Sequence, residues 1–382
     1  MSLVFDITTL LWLLPLVFAL GWIASRVDIR QWRRSEQQAP KAYFRGLNFL
    51  LNEQQDQAID SFIEAVQHDP ETSELHFALG NLFRRRGEYD RAVRVHEHLL
   101  ARSDLSNADR QRAQHGLAMD FLKAGLLDRA EGAFRKLENT PFATEAQLAL
   151  LAIFERSRDW EKAIEIAKRL ESGEQGSFRV RRAHYHCELA DVALQAGQTD
   201  TAMAALEQAM QLAPESPRAY LAISALHAAQ NETSAALETL FKLTRRAPSA
   251  TPLVAQRLVG LATTPDARDR VRQQLQSFDQ LGPSLDVTLA LSTLDADEAT
   301  GLLVHHLDRT PSLATVAQLV KQDPAEVPTL NHPLVSQAIN RAAAPLTRYR
   351  CAACGFEAKA YFWQCPGCQS WDSFPARRVE EL

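Results

Sequence analysis

Two stretches decide the fold: AYFRGLNFLLNEQQDQAIDSFIEAVQHDP, Ala42 to Pro70, and HFALGNLFRRRGEYDRAVRVHEHLL, His76 to Leu100. Laid over one another at an offset of 34 residues, they place Gly46 on Gly80, Phe49 on Phe83 and Ala58 on Ala92. Each stretch carries apolar residues at helical spacing in two runs, so each predicts a pair of helices joined by a short turn. A small residue in the first run and an alanine in the second let the two helices approach closely, while larger apolar residues fill the grooves between successive pairs.

Looser copies follow along the chain. Leu117, Ala118, Phe121, Gly125, Ala130 and Phe134 fall in the same order, then Leu150, Phe154 and Ala163, then Leu189, Ala190, Gly197, Ala202, Ala209 and Pro214, then Tyr220, Ala236, Leu240 and Pro248. The key alanines, at 58, 92, 130, 163, 202 and 236, are separated by 34, 38, 33, 39 and 34 residues, which places short inserts in two of the links. A period near 34 residues with this pattern resembles the tetratricopeptide (TPR) motif. From Pro252 to Ala344 the helical period persists in LVAQRLVGLA, RDRVRQQLQSF and ATGLLVHHL while the consensus fades, which predicts degenerate TPR-like hairpins. The predicted class is a mostly α, TPR-type α-solenoid superhelix. Such a superhelix offers a concave surface to proteins or extended peptides.

Leu3 to Ala24 (LVFDITTLLWLLPLVFALGWIA) differs in kind. Its one charge is Asp6, and about 20 apolar residues suffice to cross a hydrocarbon core of about 30 Å. No positive residue precedes it, whereas Arg26, Arg30, Arg33 and Arg34 follow at once. That asymmetry predicts an uncleaved transmembrane anchor with its N-terminus outside the cytoplasm and the bulk of the chain within it.

The formal net charge of −5 gives no basic field for nucleic acid, so no nucleic-acid partner is expected. Arginine bursts at Arg84, Arg85 and Arg86, and at Arg179, Arg181 and Arg182, read first as solvated helix faces and second as docking patches. Nucleophile elbows, HExxH, phosphate loops and dinucleotide fingerprints are all missing from the sequence, and no enzymatic activity is expected. His184 and Cys187 stand one helical turn apart with His186 pointing elsewhere, and they read as ordinary packing or surface residues rather than a metal site. His305 and His306 are adjacent and cannot face one ligand from a helix.

Chemistry concentrates at the C-terminal end. Of five cysteines, four lie in Arg350 to Trp371 as Cys351-Ala-Ala-Cys354 and Cys365-Pro-Gly-Cys368. Two C-x2-C pairs separated by ten residues have the spacing of two knuckles closing on one tetrahedral ion, zinc or iron. Gly355 and Gly367 are expected to supply backbone freedom in the turns, and AKAYFW between the pairs predicts a short strand. So small a module buries too little apolar surface to fold without its ion. A closed shell of four thiolates leaves no coordination position for hydrolysis.

The knuckles CAACGF and CPGC resemble those of rubredoxin. An N-terminal anchor, TPR hairpins and a terminal CxxCGF…WQCPGCQSW module in that order resemble, over essentially the whole chain, the lipopolysaccharide assembly protein B family of Gram-negative bacteria. The resemblance implies a non-enzymatic, single-pass inner-membrane adaptor that helps the membrane protease FtsH degrade the deacetylase committing precursors to lipid A. It also implies a membrane partner that reports lipopolysaccharide abundance, and it allows a homo-oligomer. A scaffold for lipopolysaccharide synthesis and transport proteins and a rubredoxin-like electron carrier stay open beside it. The expected division is an anchor over 1–25, a juxtamembrane linker over 26–40, TPR repeats over 41–250, degenerate hairpins over 251–345 and the metal module over 346–382.

Overall fold

The computed structural model describes residues 15, 18–22, 41–68, 72–173, 175–322 and 333–382. Most of the expected anchor and all of the juxtamembrane linker lie outside these residues. Among the described residues no helix is long and apolar enough to cross a membrane. The chain divides into two compact units, Met1–Arg158 and Asp159–Leu382.

The first unit is built from α1 (41–51), α2 (Gln55–His68), α3 (Ser73–Arg86), α4 (Tyr89–Ala101), α5 (Asn107–Lys123), α6 (Leu127–Arg135) and α7 (Ala143–Ser157). Helix α3 packs on both its hairpin partner α4 and the first helix of the next hairpin, α5, which is how a TPR array buries apolar stripes that no single hairpin could cover. The second unit continues with α8 (Trp160–Ser172), α9 (Arg179–Gln195), α10 (Thr199–Leu212), α11 (Pro217–Ala229) and α12 (Thr233–Arg246). Six further helices follow: α13 (Thr251–Leu261), α14 (Pro265–Leu281), α15 (Leu285–Leu294), α16 (Ala299–Arg309), α17 (Leu313–Gln322) and α18 (Pro333–Ala343). They pair in sequence, and α13 also rests on α15.

The repeat phase is confirmed twice. All six key alanines, Ala58, Ala92, Ala130, Ala163, Ala202 and Ala236, are fully buried. Five residues before each, the chain adopts a left-handed conformation, at Glu53, Gly87, Gly125, Arg158, Gly197 and Asn231. Glycine enters that region without a Cβ penalty, but Glu53 and Arg158 take it too, so the turn is dictated by the hairpin rather than by the residue.

The small residues of the first helices also have a visible reason. A Cβ on Gly46 would lie 2.9 Å from the Phe62 ring, and one on Gly80 would lie 2.7 Å from the ring of His96. Phe62 and His96 each stand four residues after a key alanine. His96 is caged from the other side by Gly116, where a Cβ would approach to 2.5 Å. Nδ1 of His96 donates to Asp120 at 2.5 Å, and Arg84 donates to the same carboxylate at 2.7 Å and to the Gly116 carbonyl at 3.1 Å. His96 and Asp120 are both buried, so this is a charge held inside the array by an arginine and an imidazole. Arg84 therefore departs from the expectation for its burst: it is turned inward to a carboxylate rather than solvated.

Gly116→Ala should lower the stability of the folded protein by about 1–3 kcal/mol, because the imidazole has no room to retreat. Gly132→Ala in α6, with nothing within 4 Å of the added atom, should be neutral or raise stability by up to about 1 kcal/mol. Thermal denaturation of the two variants against the parent measures the contrast.

Candidate metal centre

The C-terminal module is two copies of one turn. In the first, Cys351 N–H donates to the Phe356 carbonyl and Gly355 N–H to the Cys351 carbonyl, both at 2.9 Å. In the second, Cys365 N–H donates to the Ser370 carbonyl at 2.9 Å and Gln369 N–H to the Cys365 carbonyl at 2.7 Å. Each turn must go left-handed one residue after its second cysteine, which Gly355 does at φ 78° and Gln369 at φ 60°. Gly367 is not left-handed, contrary to its expected role. A Cβ added there would stand at ordinary contact distance from the Cys354 sulfur and Phe356, and Gln369 bears the strain instead.

The strand expected in AKAYFW is shorter and earlier. β1 (Tyr349–Arg350) pairs antiparallel with β2 (Glu357–Ala358), and the chain bends at 359–360. The bend turns Tyr361 inward against Phe374 and Tyr349, where its hydroxyl donates to the Phe374 carbonyl at 2.9 Å. Burial pushes the Tyr349 hydroxyl up to about 12 and the Tyr361 hydroxyl higher still, so neither ionises under ordinary conditions.

The four sulfur atoms lie within 4.8 Å of one another, with Cys351 to Cys368 at 3.8 Å and Cys354 to Cys365 at 3.7 Å. Four thiolates about 2.3 Å from one ion at tetrahedral angles stand about 3.8 Å apart, so the donor set fits a single ion. Among the described residues no other cluster of metal-ligating side chains forms. Without a cation the set cannot all ionise. The Ser373 hydroxyl, 3.2 Å from the Cys351 sulfur, and the backbone N–H groups of Cys354 and Ala353 draw the Cys351 thiol down to about 6. Ser370 draws Cys368 down through its hydroxyl and its N–H. At Cys354 the Phe356 N–H favours the thiolate, yet burial and the three neighbouring sulfurs outweigh it and push the thiol up to about 12. A divalent or trivalent ion inverts that balance.

The module is not a free head. Its Trp371 stacks on His184 of α9 with ring centroids 4.7 Å apart, meets Tyr185 and Trp160 edge-on, and has the Arg218 guanidinium 5.9 Å from its ring centre. The Nε2 of His184 bonds Asp372 at 2.7 Å. Asp372 adjoins Ser373, whose hydroxyl touches the Cys351 sulfur, so the sulfur cluster and α9 are two hydrogen bonds and one residue apart. Leu253 of α13 packs on the module's small core of Tyr349, Cys351, Cys365 and Phe374.

Past the knuckles, residues 378–381 fasten the module to the degenerate hairpins. Arg378 forms a two-point ion pair with Asp286 at 2.9 and 3.1 Å, donates to the Thr347 carbonyl at 2.9 Å and lies over the Tyr349 ring at 4.1 Å. Glu381 accepts from the Leu285 N–H at 2.6 Å, at the first residue of α15. Glu380 accepts from the N–H groups of Leu313 and Ala314 at 2.5 and 3.0 Å, at the first residues of α17. Helix N-termini carry unsatisfied N–H groups and partial positive charge, which these two carboxylates meet. Sequence reading missed all three residues. Their partners on α15 and α17 lie 66 to 96 residues away, and no local pattern announces them.

The remaining cysteine and His306 are packing residues. Cys187 sits in the core of the α9–α11 hairpins, and burial pushes its thiol up to about 12. Burial likewise draws His186 and His306 down, and His306 is bonded to the Thr288 hydroxyl at 3.1 Å.

Residues 349–375 match the family model described as a rubredoxin metal binding domain, and residues 75–111, 115–177 and 193–258 match tetratricopeptide repeat models. The fold and the site together define a mostly helical TPR protein carrying a rubredoxin-type four-cysteine module. Lipopolysaccharide assembly protein B of Escherichia coli is 32% identical over 97% of this chain and 98% of its own. The Haemophilus influenzae protein of the same name is 28% identical over 94% of this chain and 96% of its own. The chain belongs to the lipopolysaccharide assembly protein B family. Among solved structures, a tetratricopeptide repeat protein from Parabacteroides merdae aligns with 68% of this chain and 99% of its own at 15% identity, with a TM-score of 0.34.

Alkylation of the native protein should leave Cys187 unmodified, because it is buried in the hairpin core and burial holds its thiol protonated. Chelation should expose four reactive cysteines and denaturation the fifth, counted by intact mass. Glu380→Ala should destabilise the second unit by about 1–2 kcal/mol through loss of the α17 cap, read by chemical denaturation.

Proposed function

We propose that this chain is a non-enzymatic, membrane-confined recruiter in lipopolysaccharide biosynthesis, and that Cys351, Cys354, Cys365 and Cys368 hold one structural zinc or iron ion. The observation that carries the reading is the occurrence, in a single chain of this family, of TPR hairpins and a four-sulfur cluster seated against them. A bound ion would neutralise the sulfur cluster and hold the two knuckles together. The protein's own groups do the rest: Ser373 and Ser370 orient the sulfurs, Asp372 with Trp371 seats the module on α9, and residues 378–381 tie it to α15 and α17.

In this reading Leu3–Ala24 anchors the chain in the inner membrane, with the arginines after it holding the remainder in the cytoplasm. Confinement to the plane of a membrane protease raises effective concentration without any new contact. The helical units present the client, the deacetylase that commits precursors to lipid A, to FtsH, and a second membrane protein reporting lipopolysaccharide abundance tunes that delivery. The domain limits stated from the sequence apply to this arrangement, with the module over 346–382 working as part of the second unit.

Depletion of the protein should lengthen the lifetime of the deacetylase in cells after synthesis is blocked, and re-expression should restore rapid turnover. Cys351→Ser should lose the ion, measured as metal per chain after gel filtration, and fail to restore turnover. An unchanged deacetylase lifetime would remove the adaptor reading, and full metal occupancy in Cys351→Ser would remove the ligand assignment.

A further inference from the structure

Between the module and the hairpin turns of the second unit runs a groove of about 870 Å³. One wall is the turn between α10 and α11 together with the turn between α12 and α13; the other is the module's Tyr361 and the chain at 375–377. The floor is apolar, with Val180, Leu212, Leu253 and Pro375 among its residues, and Val180 is 48% exposed. A side chain of that size left half in water at the start of a helix is unused apolar surface.

Charge at the groove is arranged around that floor. Arg179 and Arg377 line it, both exposed, and neither forms an ion pair among the described residues. Arginines elsewhere in the second unit are mostly committed: Arg182 to Glu171, Arg218 to Glu188 and Asp191, Arg272 to Asp295, Arg378 to Asp286. Of the groove's two acids, Asp372 is bonded to His184, which leaves Glu215, exposed and without an ion pair among the described residues, as one free carboxylate against two free guanidinium groups. Helix α9 begins at Arg179, and the carboxylate of Glu171 already meets its N-terminus by accepting from the Phe178 N–H at 2.8 Å, so the groove's free positive charge is that of the two guanidinium groups.

We propose that this groove binds an extended segment of a partner protein that carries apolar side chains flanked by carboxylates. The inference rests on the reading of the chain as a recruiter of proteins and gives that reading a surface and a chemistry. Apolar side chains of the segment lie on Val180, Leu212 and Leu253, and its carboxylates meet the guanidinium groups of Arg179 and Arg377, whose planar forks bind carboxylates at two points. Both walls include irregular chain, at 213–216 and 375–377, beside the single 3-10 turn of Pro248–Ala250, and so carry backbone polar groups that an extended peptide can address and a lipid tail cannot. The module supplies one whole wall, so the groove exists only while the four-cysteine turns are folded.

The test uses the full chain in detergent and short fluorescein-labelled peptides in which leucine alternates with glutamate, with lysine replacing glutamate in the control. Fluorescence anisotropy should show the acidic peptides binding in preference to the basic ones. The double variant Arg179→Glu with Arg377→Glu, both at exposed unpaired positions, should weaken the acidic peptides by about tenfold or more and reverse the preference. Equal binding of both peptide types, or acidic binding untouched by the double variant, would overturn the proposal. So would binding of anionic phospholipid vesicles that the double variant abolishes while no peptide binds. If peptide binding responds as expected but deacetylase lifetime in cells carrying the double variant stays normal, the groove stands and the client of the adaptor reading uses another surface.

Discussion

Four sulfur atoms within 4.8 Å of one another cannot all be negative unless a cation sits among them, and that electrostatic constraint governs the second half of the molecule. The turns that present the sulfurs are short and strained, with a left-handed glutamine in one of them, and they enclose a core of only a few side chains. Such a core does not hold itself together. Closure of the cluster fixes the backbone from Tyr349 to Phe374, and that backbone in turn places Trp371 and Asp372 against α9 and sends residues 378–381 to the starts of α15 and α17. The module thus acts as a clasp on helices whose repeat consensus has faded. Where local helical patterning weakens, capping from a distant carboxylate takes over.

The first unit solves a different problem with the same repeat. Its hairpins need small residues where ring meets backbone, and Gly46, Gly80 and Gly116 provide them. One repeat then replaces the usual buried apolar ring with His96, and the array accommodates the imidazole by bringing Asp120 and Arg84 to it. A buried ionic group of this kind contributes little net stability over an apolar one, and its removal in part leaves an unpaired charge. We read it as fixing which hairpin follows which, since its three members come from α3, α4 and α5.

Much of this was legible in the amino-acid order, for reasons that differ from element to element. The phase of the repeats could be read because one fully buried alanine recurs in each hairpin, and the left-handed turn five residues earlier follows the same spacing even where glutamate or arginine occupies it. The four cysteines could be read because their spacing is local. What escaped was everything that joins distant segments. Arg84 looked like one of three surface arginines and is the half-buried partner of the buried Asp120. His184 was weighed beside Cys187, one turn away, whereas its partner is Asp372, 188 residues on. Glu380 and Glu381 sit in a short acidic ending that no periodicity distinguishes. Gly367 looked like the residue that frees its turn, and the left-handed position falls on Gln369 instead. Sequence reports what repeats or lies close by; the joints of this molecule do neither.

The claim on which the account turns is that the sulfur cluster, through residues 378–381, holds the N-termini of α15 and α17. Hydrogen exchange measured on the full chain with its ion and after chelation tests this directly. The account predicts that the amides of Leu285, Leu313 and Ala314 lose protection together with those of 349–375 when the ion is removed, while α2 to α6 remain unchanged. Loss of protection confined to 349–375, with α15 and α17 as slow to exchange as before, would contradict it and reduce the module to an appendage.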